Sequence, residues 1–184
     1  LATFNGTSAT VYGSNDTFGL AQGDNFIING SSDSVILPSG AVVSISGAAE
    51  FVVGGGGTVY GASSTSINLV ASNDAVYLAD GDYAGLGGSG NSIYLNSGTI
   101  GTFVSAAATI FGSGNSIGLT GFDNFTVVGA DNVLQLTSGA TVTLSGTGNA
   151  ITVNSGATAS IEGSDNTEFL VSYTVFSGIN WTIS

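Results

Sequence analysis

The chain predicts an all-β fold, a β-solenoid (a β-helix or β-roll) built of seventeen-residue coils. Three observations predict it: a tandem repeat, apolar residues alternating at period two, and a composition hostile to helix. In rows of seventeen, residues 112–162 read GSGNSIGLTGFDNFTVV, GADNVLQLTSGATVTLS and GTGNAITVNSGATASIE. Gly112 then aligns with Gly129 and Gly146, and Asn115 with Asn132 and Asn149. With 30 Gly among 184 residues, and abundant Ser and Thr, turn and strand are favoured over helix.

From the N-terminus, a partial coil (1–12) ends in GTSATVY, which matches the second half of a row. Full rows begin at Gly13, Gly30, Gly47, Ala71, Gly88, Gly112, Gly129, Gly146 and Gly163, and residues 180–184 remain as a tail. Two seven-residue segments, STSINLV (64–70) and SAAATIF (105–111), break the phase; each is one short strand long and is read as an insertion enlarging its coil. Within a row, a Gly opens a corner, the fourth place is polar, and the sixth and eighth are apolar. A second Gly at the eleventh place precedes apolar residues at the fourteenth and sixteenth. Each coil therefore carries two short strands, with their apolar residues inward. Ile93, Ile117, Leu134 and Ile151 make one expected inner column, and Leu78, Leu95, Leu119, Leu136 and Val153 another. No coil can bury these residues alone; stacking at ~4.8 Å pairs each strand with its copies above and below. The row glycines are expected where tight corners need positive φ. Residues 1–184 form a single solenoid domain on this reading.

The fourth place divides the chain. Asn91, Asn115, Asn132, Asn149 and Asn166 predict an amide ladder, each side chain bonding its neighbours. Asp16, Asp33, Glu50 and Asp74 hold that place in the earlier rows. Stacked carboxylates repel, so these acids must face water, share protons or hold a cation, and solvated turn acids are the expectation.

Rows such as GSGNSIYL and GSNDTFGL, in an acidic chain without Cys, resemble the repeat regions of very large bacterial secreted adhesins and haemagglutinin-like β-solenoids. They are also similar to calcium-binding RTX repeats, whose unit is GGxGxDxux. Residues 87–95 (GGSGNSIYL) depart from that unit, with Asn91 one place early and no Asp at the ligand position. No cofactor is expected; if calcium binds as the resemblance implies, the candidate acids are Asp16, Asp33 and Asp74.

Composition excludes much else. The chain has no Lys, Arg or His against 12 Asp and Glu, for a net charge of −12, so no side-chain salt bridge can form. Nucleic acid and anionic membrane are not expected partners, because phosphate binding needs cations. No apolar run is long enough for a spanning helix, so membrane insertion is not expected. Without Cys, Lys, Arg and His, most nucleophile and base pairs and nitrogen or thiolate metal sites are impossible. Only paired carboxylates remain for catalysis, Asp80 with Asp82 or Asp24 near Asp16, and no enzyme is expected from them. Thr126, Thr141, Thr143 and Thr158 face outward but recur too irregularly for the flat threonine lattice of an ice-binding face. Five sequons, at Asn5, Asn15, Asn29, Asn124 and Asn180, are no more than a chain rich in Asn, Ser and Thr would carry by accident.

Outward apolar residues point to contact. Ile36, Val53, Tyr77 and Tyr94 share the seventh place; Val42, Val59, Tyr83 and Ile100 share the thirteenth. Such a stripe marks an interface or is covered by the two extra segments. The tail adds Phe169, Val171, Tyr173, Val175, Trp181 and Ile183, and no amphipathic cap precedes or follows the repeats. The length equals ten rows of seventeen plus two segments of seven, so a tail and the next head would complete a shared coil. The expectation is an extracellular, cell-surface structural protein whose partner is itself, a subunit stacking head-to-tail into a filament. The alternative is a spacer segment of a giant secreted bacterial adhesin.

Overall fold

The structure, a computed structural model, describes residues 2–3, 6–96, 98–121 and 123–171. Alternating sequence becomes strand throughout. In chain order the strands are β1 (Ala2–Thr3), β2 (Ser8–Tyr12), β3 (Thr17–Gly19), β4 (Asn25–Asn29), β5 (Ser34–Leu37), β6 (Val42–Ser46) and β7 (Glu50–Gly55). They continue as β8 (Thr58–Gly61), β9 (Ser66–Ser72), β10 (Ala75–Leu78), β11 (Tyr83–Leu95), β12 (Ile100–Phe111) and β13 (Ser116–Thr120). The last are β14 (Asn124–Val128), β15 (Val133–Leu136), β16 (Thr141–Ser145), β17 (Ala150–Asn154), β18 (Thr158–Glu162) and β19 (Thr167–Val171).

Every pairing is parallel and runs between coils, as a repeat stacked on its own copy requires. One face stacks β1, β3, β5, β7, β9, the start of β11, the start of β12, β13, β15, β17 and β19. The other stacks β2, β4, β6, β8, β10, the end of β11, the end of β12, β14, β16 and β18. β11 and β12 each turn a corner without breaking, so both faces belong to one continuous sheet.

Alternation fills the space between the faces. Phe18, Val35, Val52, Leu69, Leu86, Leu119, Leu136 and Val153 line the inside of the first face. Phe26, Val43, Val59, Val76, Ile93, Ile110, Val127 and Leu144 line the second. Each face contributes a dry column, and the two columns meet along the solenoid axis.

The β-solenoid with roughly seventeen-residue coils is the fold the sequence predicts, but the two seven-residue segments do not enlarge any coil. STSINLV forms most of β9, an ordinary strand that stacks between β7 and β11, and SAAATIF forms the end of β12. Each segment is half a coil. Adding half a coil moves the first half of the following rows onto the second face: AVYL of β10 stacks on TVYG of β8, although the two occupy different halves of their rows. Ile93 accordingly joins Val76 and Ile110 on the second face, whereas Ile117, Leu134 and Ile151 stack on the first. The exchange is tolerated because both half-rows present the same inward-outward alternation, and only the corners tell them apart.

Those corners come in two forms. One starts with a small residue and ends in Asp, Glu or Asn, as in GSSD (30–33), GAAE (47–50) and GADN (129–132); the other carries a later Gly, as in AQGD (21–24), PSGA (38–41) and TSGA (137–140). The first form is one residue shorter. Leu37 and Val42 flank PSGA, while their partners Gly54 and Thr58 flank three glycines. Between the two half-coil segments the forms trade edges, ASST (62–65) and ADGD (79–82) on one and ASND (71–74) and GSGN (88–91) on the other.

The leading glycine is required for close approach, and at several corners for positive φ as expected, with Gly47, Gly88 and Gly163 at φ of 140°, 101° and 115°. A Cβ on Gly30 would lie 1.7 Å from the Gly13 carbonyl oxygen, and one on Gly129 equally close to that of Gly112. Left-handed φ also falls on the residue before the polar fourth place, where Ser32, Ala49 and Asp131 adopt φ of 62°, 63° and 56°.

Candidate functional site

Three features could carry function: the polar ladder under the corners, the apolar columns on the outside, and the end strands. The ladder is buried. Asn115, Asn132 and Asn149 are at most 3% exposed, and each amide works against backbone rather than chiefly against its neighbouring amides. Asn132 Oδ1 accepts from Asn115 N (3.0 Å), Asn149 Oδ1 from Asn132 N (2.9 Å) and Asn166 Oδ1 from Asn149 N (2.9 Å). The Nδ2 groups of Asn132, Asn149 and Asn166 donate to the carbonyls of Gly112, Gly129 and Gly146 at 3.0–3.1 Å. One amide-to-amide bond joins Asn149 Nδ2 to Asn166 Oδ1. The fourth place thus satisfies corner groups that the strand pairing leaves over. Asn91 does the same on the opposite edge, accepting from Asp74 N and donating to Ala71 O.

The acids do not face water as expected. Asp33, Glu50 and Asp74 are at most 2% exposed, and of the four only Asp16 is at the surface. They occupy the asparagine position and point under the corner: Asp33 Oδ1 accepts from Asp16 N, Glu50 Oε2 from Asp33 N and Asp74 Oδ1 from Gly57 N. The half-coil exchange puts Asp74 on the other edge from Asp16, Asp33 and Glu50, so the three calcium candidates do not converge. Among the described residues no group of three acids could hold a metal ion.

The two carboxylate pairs named from the sequence are placed differently. Asp82 is buried and accepts from Thr65 N (2.8 Å) and Ala79 N (2.7 Å), while Asp80 is exposed at the corner. Burial raises the Asp82 carboxyl above its ordinary range despite those two bonds, and Asp80 adds to the rise. Asp24 is tied in the same way to Thr7 N and Ala21 N, on the opposite edge from Asp16.

Outside, the expected stripe divides. Ile36, Val53 and Val70 stack on the first face, and Tyr60, Tyr77, Tyr94 and Phe111 on the second. The aromatic rings are near-parallel at centroid distances of 4.8, 4.6 and 5.2 Å, an offset ladder that follows the strand spacing. Tyr60 and Phe111 escape the sequence reading because they lie in different places of their rows; the half-coil exchange brings them into line. Tyr83 is exposed in register with Ser66 and Ile100 on the first face. Val59 is a correction: the one-residue-shorter corner turns it inward, fully buried between Val43 and Val76, while Val42 pairs with Thr58 and is half-buried. The two extra segments do not cover either stripe, since both are strands of the wall. Thr141 and Thr158 follow Asn124 in one exposed column, and Thr126 and Thr143 lead to Ser160 in the next.

At the C-terminal side, β18 and β19 pair with β16 and β17 below, and no described strand lies above them. Phe169, Leu170 and Val171 are 56%, 52% and 49% exposed there. Leu170 stands in the inward column of Leu136 and Val153, with no described strand above it. Tyr173, Val175, Trp181 and Ile183, expected at the interface, lie outside the described residues. No protein-family model, curated protein or solved structure matches the chain.

Proposed function

We propose that the chain is a structural subunit that extends end to end into a β-solenoid filament, with a second copy of itself as partner. The observation that carries this reading is the open stack: β19 is the last described strand of the first face and β1 the first of that same face. In parallel pairing, the groups left free above one strand complement those left free below its copy. A following copy could therefore set β1 over β19 and continue the ladder, a heterologous contact that does not close. Leu170 would become buried and the outer aromatic column would run on along the fibre. Such a chain suits an extracellular surface, where a material without thiols, Lys or Arg resists disulfide exchange and trypsin-like proteases.

Electron microscopy and sedimentation of the purified chain at high concentration test this. The expected result is a fibre with an axial rise of ~53 Å, since β1 to β19 stack eleven strands on the first face at ~4.8 Å each. Leu170→Lys should abolish it while leaving the monomer folded, because the side chain is exposed in a single copy and buried in a stack. A chain that stays monomeric overturns the filament. The same open ladder would then favour the second reading, a passive spacer within a giant secreted adhesin, finished by neighbouring coils of one polypeptide.

A further inference from the structure

The corner ladder contains three rungs whose hydrogen bonds do not close, with Asp33 Oδ2, Glu50 Oε1 and Asp74 Oδ2 each buried without a partner, and the last two flank the first half-coil exchange. In an asparagine rung the Oδ1 accepts an amide from the coil below and the Nδ2 donates to a carbonyl. Glu50 reproduces the first half of that pattern, with Oε2 accepting from Asp33 N at 3.0 Å. Its Oε1 is buried and has no partner. A Cβ on Gly47 would meet the Gly30 oxygen at 1.5 Å and Glu50 Oε1 at 3.0 Å, as one on Gly129 would meet the Gly112 oxygen at 1.7 Å and Asn132 Nδ2 at 3.2 Å. Glu50 Oε1 thus stands where an asparagine donates to a carbonyl. Asp74 repeats the case on the other edge: Oδ1 accepts from Gly57 N at 2.7 Å and Oδ2 is buried without a partner. In the rung above, Asn91 Nδ2 donates to Ala71 O, and the pairing of Ala71 with Gly54 gives the Gly54 carbonyl that role for Asp74.

We propose that Glu50 and Asp74 are carried in the folded solenoid as neutral carboxylic acids, each O–H replacing the asparagine Nδ2–H as donor to a backbone carbonyl of the coil below. A proton is the donor that adds no volume, and the site has the shape of an asparagine rung. An ionised carboxylate would set two acceptors against each other in a buried place. Asp24 and Asp82 show the contrast, since both oxygens of each accept backbone N–H groups and neither leaves an oxygen without a partner. Burial raises the carboxyls of Glu50 and Asp74 above their ordinary values, outweighing the amide bonds each receives. Asp33 faces Glu50 from below and pushes it further in the same direction, and Ile67 is the partner above. Asp74 faces Gly57 below and Asn91 above, and neither titrates. A cation fits less well: calcium takes about six to eight oxygens, and no third acid converges on either site among the described residues.

A folded-state value above the unfolded one stabilises the fold at pH below the ordinary carboxylate range, and this contribution is lost as pH rises through the raised value. Both acids border the first half-coil exchange, so alkali should loosen β7 to β10 before the asparagine-lined coils. Thermal unfolding of the intact chain and of E50Q/D74N from about pH 5 to about pH 9 tests this, together with the infrared carboxylic-acid C=O band. The wild type should lose melting temperature as pH rises and show the protonated band at neutral pH. E50Q/D74N should lack most of that slope, lose the band, and melt no lower than the wild type at the alkaline end. Absence of the protonated band from the wild type at neutral pH overturns the proposal, whether or not the variant folds. So does a melting temperature raised by calcium in the wild type and not in the variant.

Discussion

At Gly129 an added methyl group would lie 1.7 Å from the Gly112 carbonyl oxygen, so the glycine column is fixed by the distance between coils. Gly129→Ala should cost about 1–3 kcal/mol or more by chemical denaturation, because backbone rather than a flexible side chain must give way. Ala49 is the opposite case, a non-glycine residue held at φ 63°. Ala49→Gly should gain about 0.5–1 kcal/mol, the relief of the left-handed penalty less the extra chain entropy of glycine. Asn132→Ala would leave the Asn115 N–H and the Gly112 carbonyl buried without their side-chain partner, a loss of about 2–4 kcal/mol in the same measurement. The asparagine column was legible in the sequence because Asn115, Asn132 and Asn149 recur at one place. Its inward direction was not, since spacing does not tell which way a corner residue points.

At the level of the element, the unit of exchange is half a coil. β9 and the end of β12 have the length and alternation of their neighbours, and their effect is to trade corner forms between the two edges. Deletion of residues 129–145 joins equal registers and should leave circular dichroism of the strands intact, with a smaller denaturant slope in proportion to the lost surface. Deletion of 64–70 alone should prevent cooperative unfolding, because it sets the short and long corners against each other. The trade could have been read from GGGG (54–57) and from GSGN (88–91) following ADGD (79–82), which reverse the usual order of corners. Two equivalent half-rows hide it, since apolar periodicity fits either face.

For the whole molecule, twelve acids and no Lys, Arg or His mean that long-range electrostatics oppose compactness. Added salt should therefore raise the melting temperature over roughly 0.01 to 0.2 M, where the screening length falls towards the coil dimensions. A fall with salt would require an attractive pair that the composition does not contain. The sequence by itself determined the strand content, the parallel stacking at about seventeen residues and the dry interior, because a repeat of alternating apolar residues can bury its side chains only against its own copies. The tertiary structure decided which residues share a column. It set Asp74 across the coil from Asp33, placed Tyr60 and Phe111 in line with Tyr77 and Tyr94, and turned Val59 inward. The reason is that a corner one residue shorter inverts the pointing of the strand after it, and corner length shows only where neighbouring coils close their hydrogen bonds.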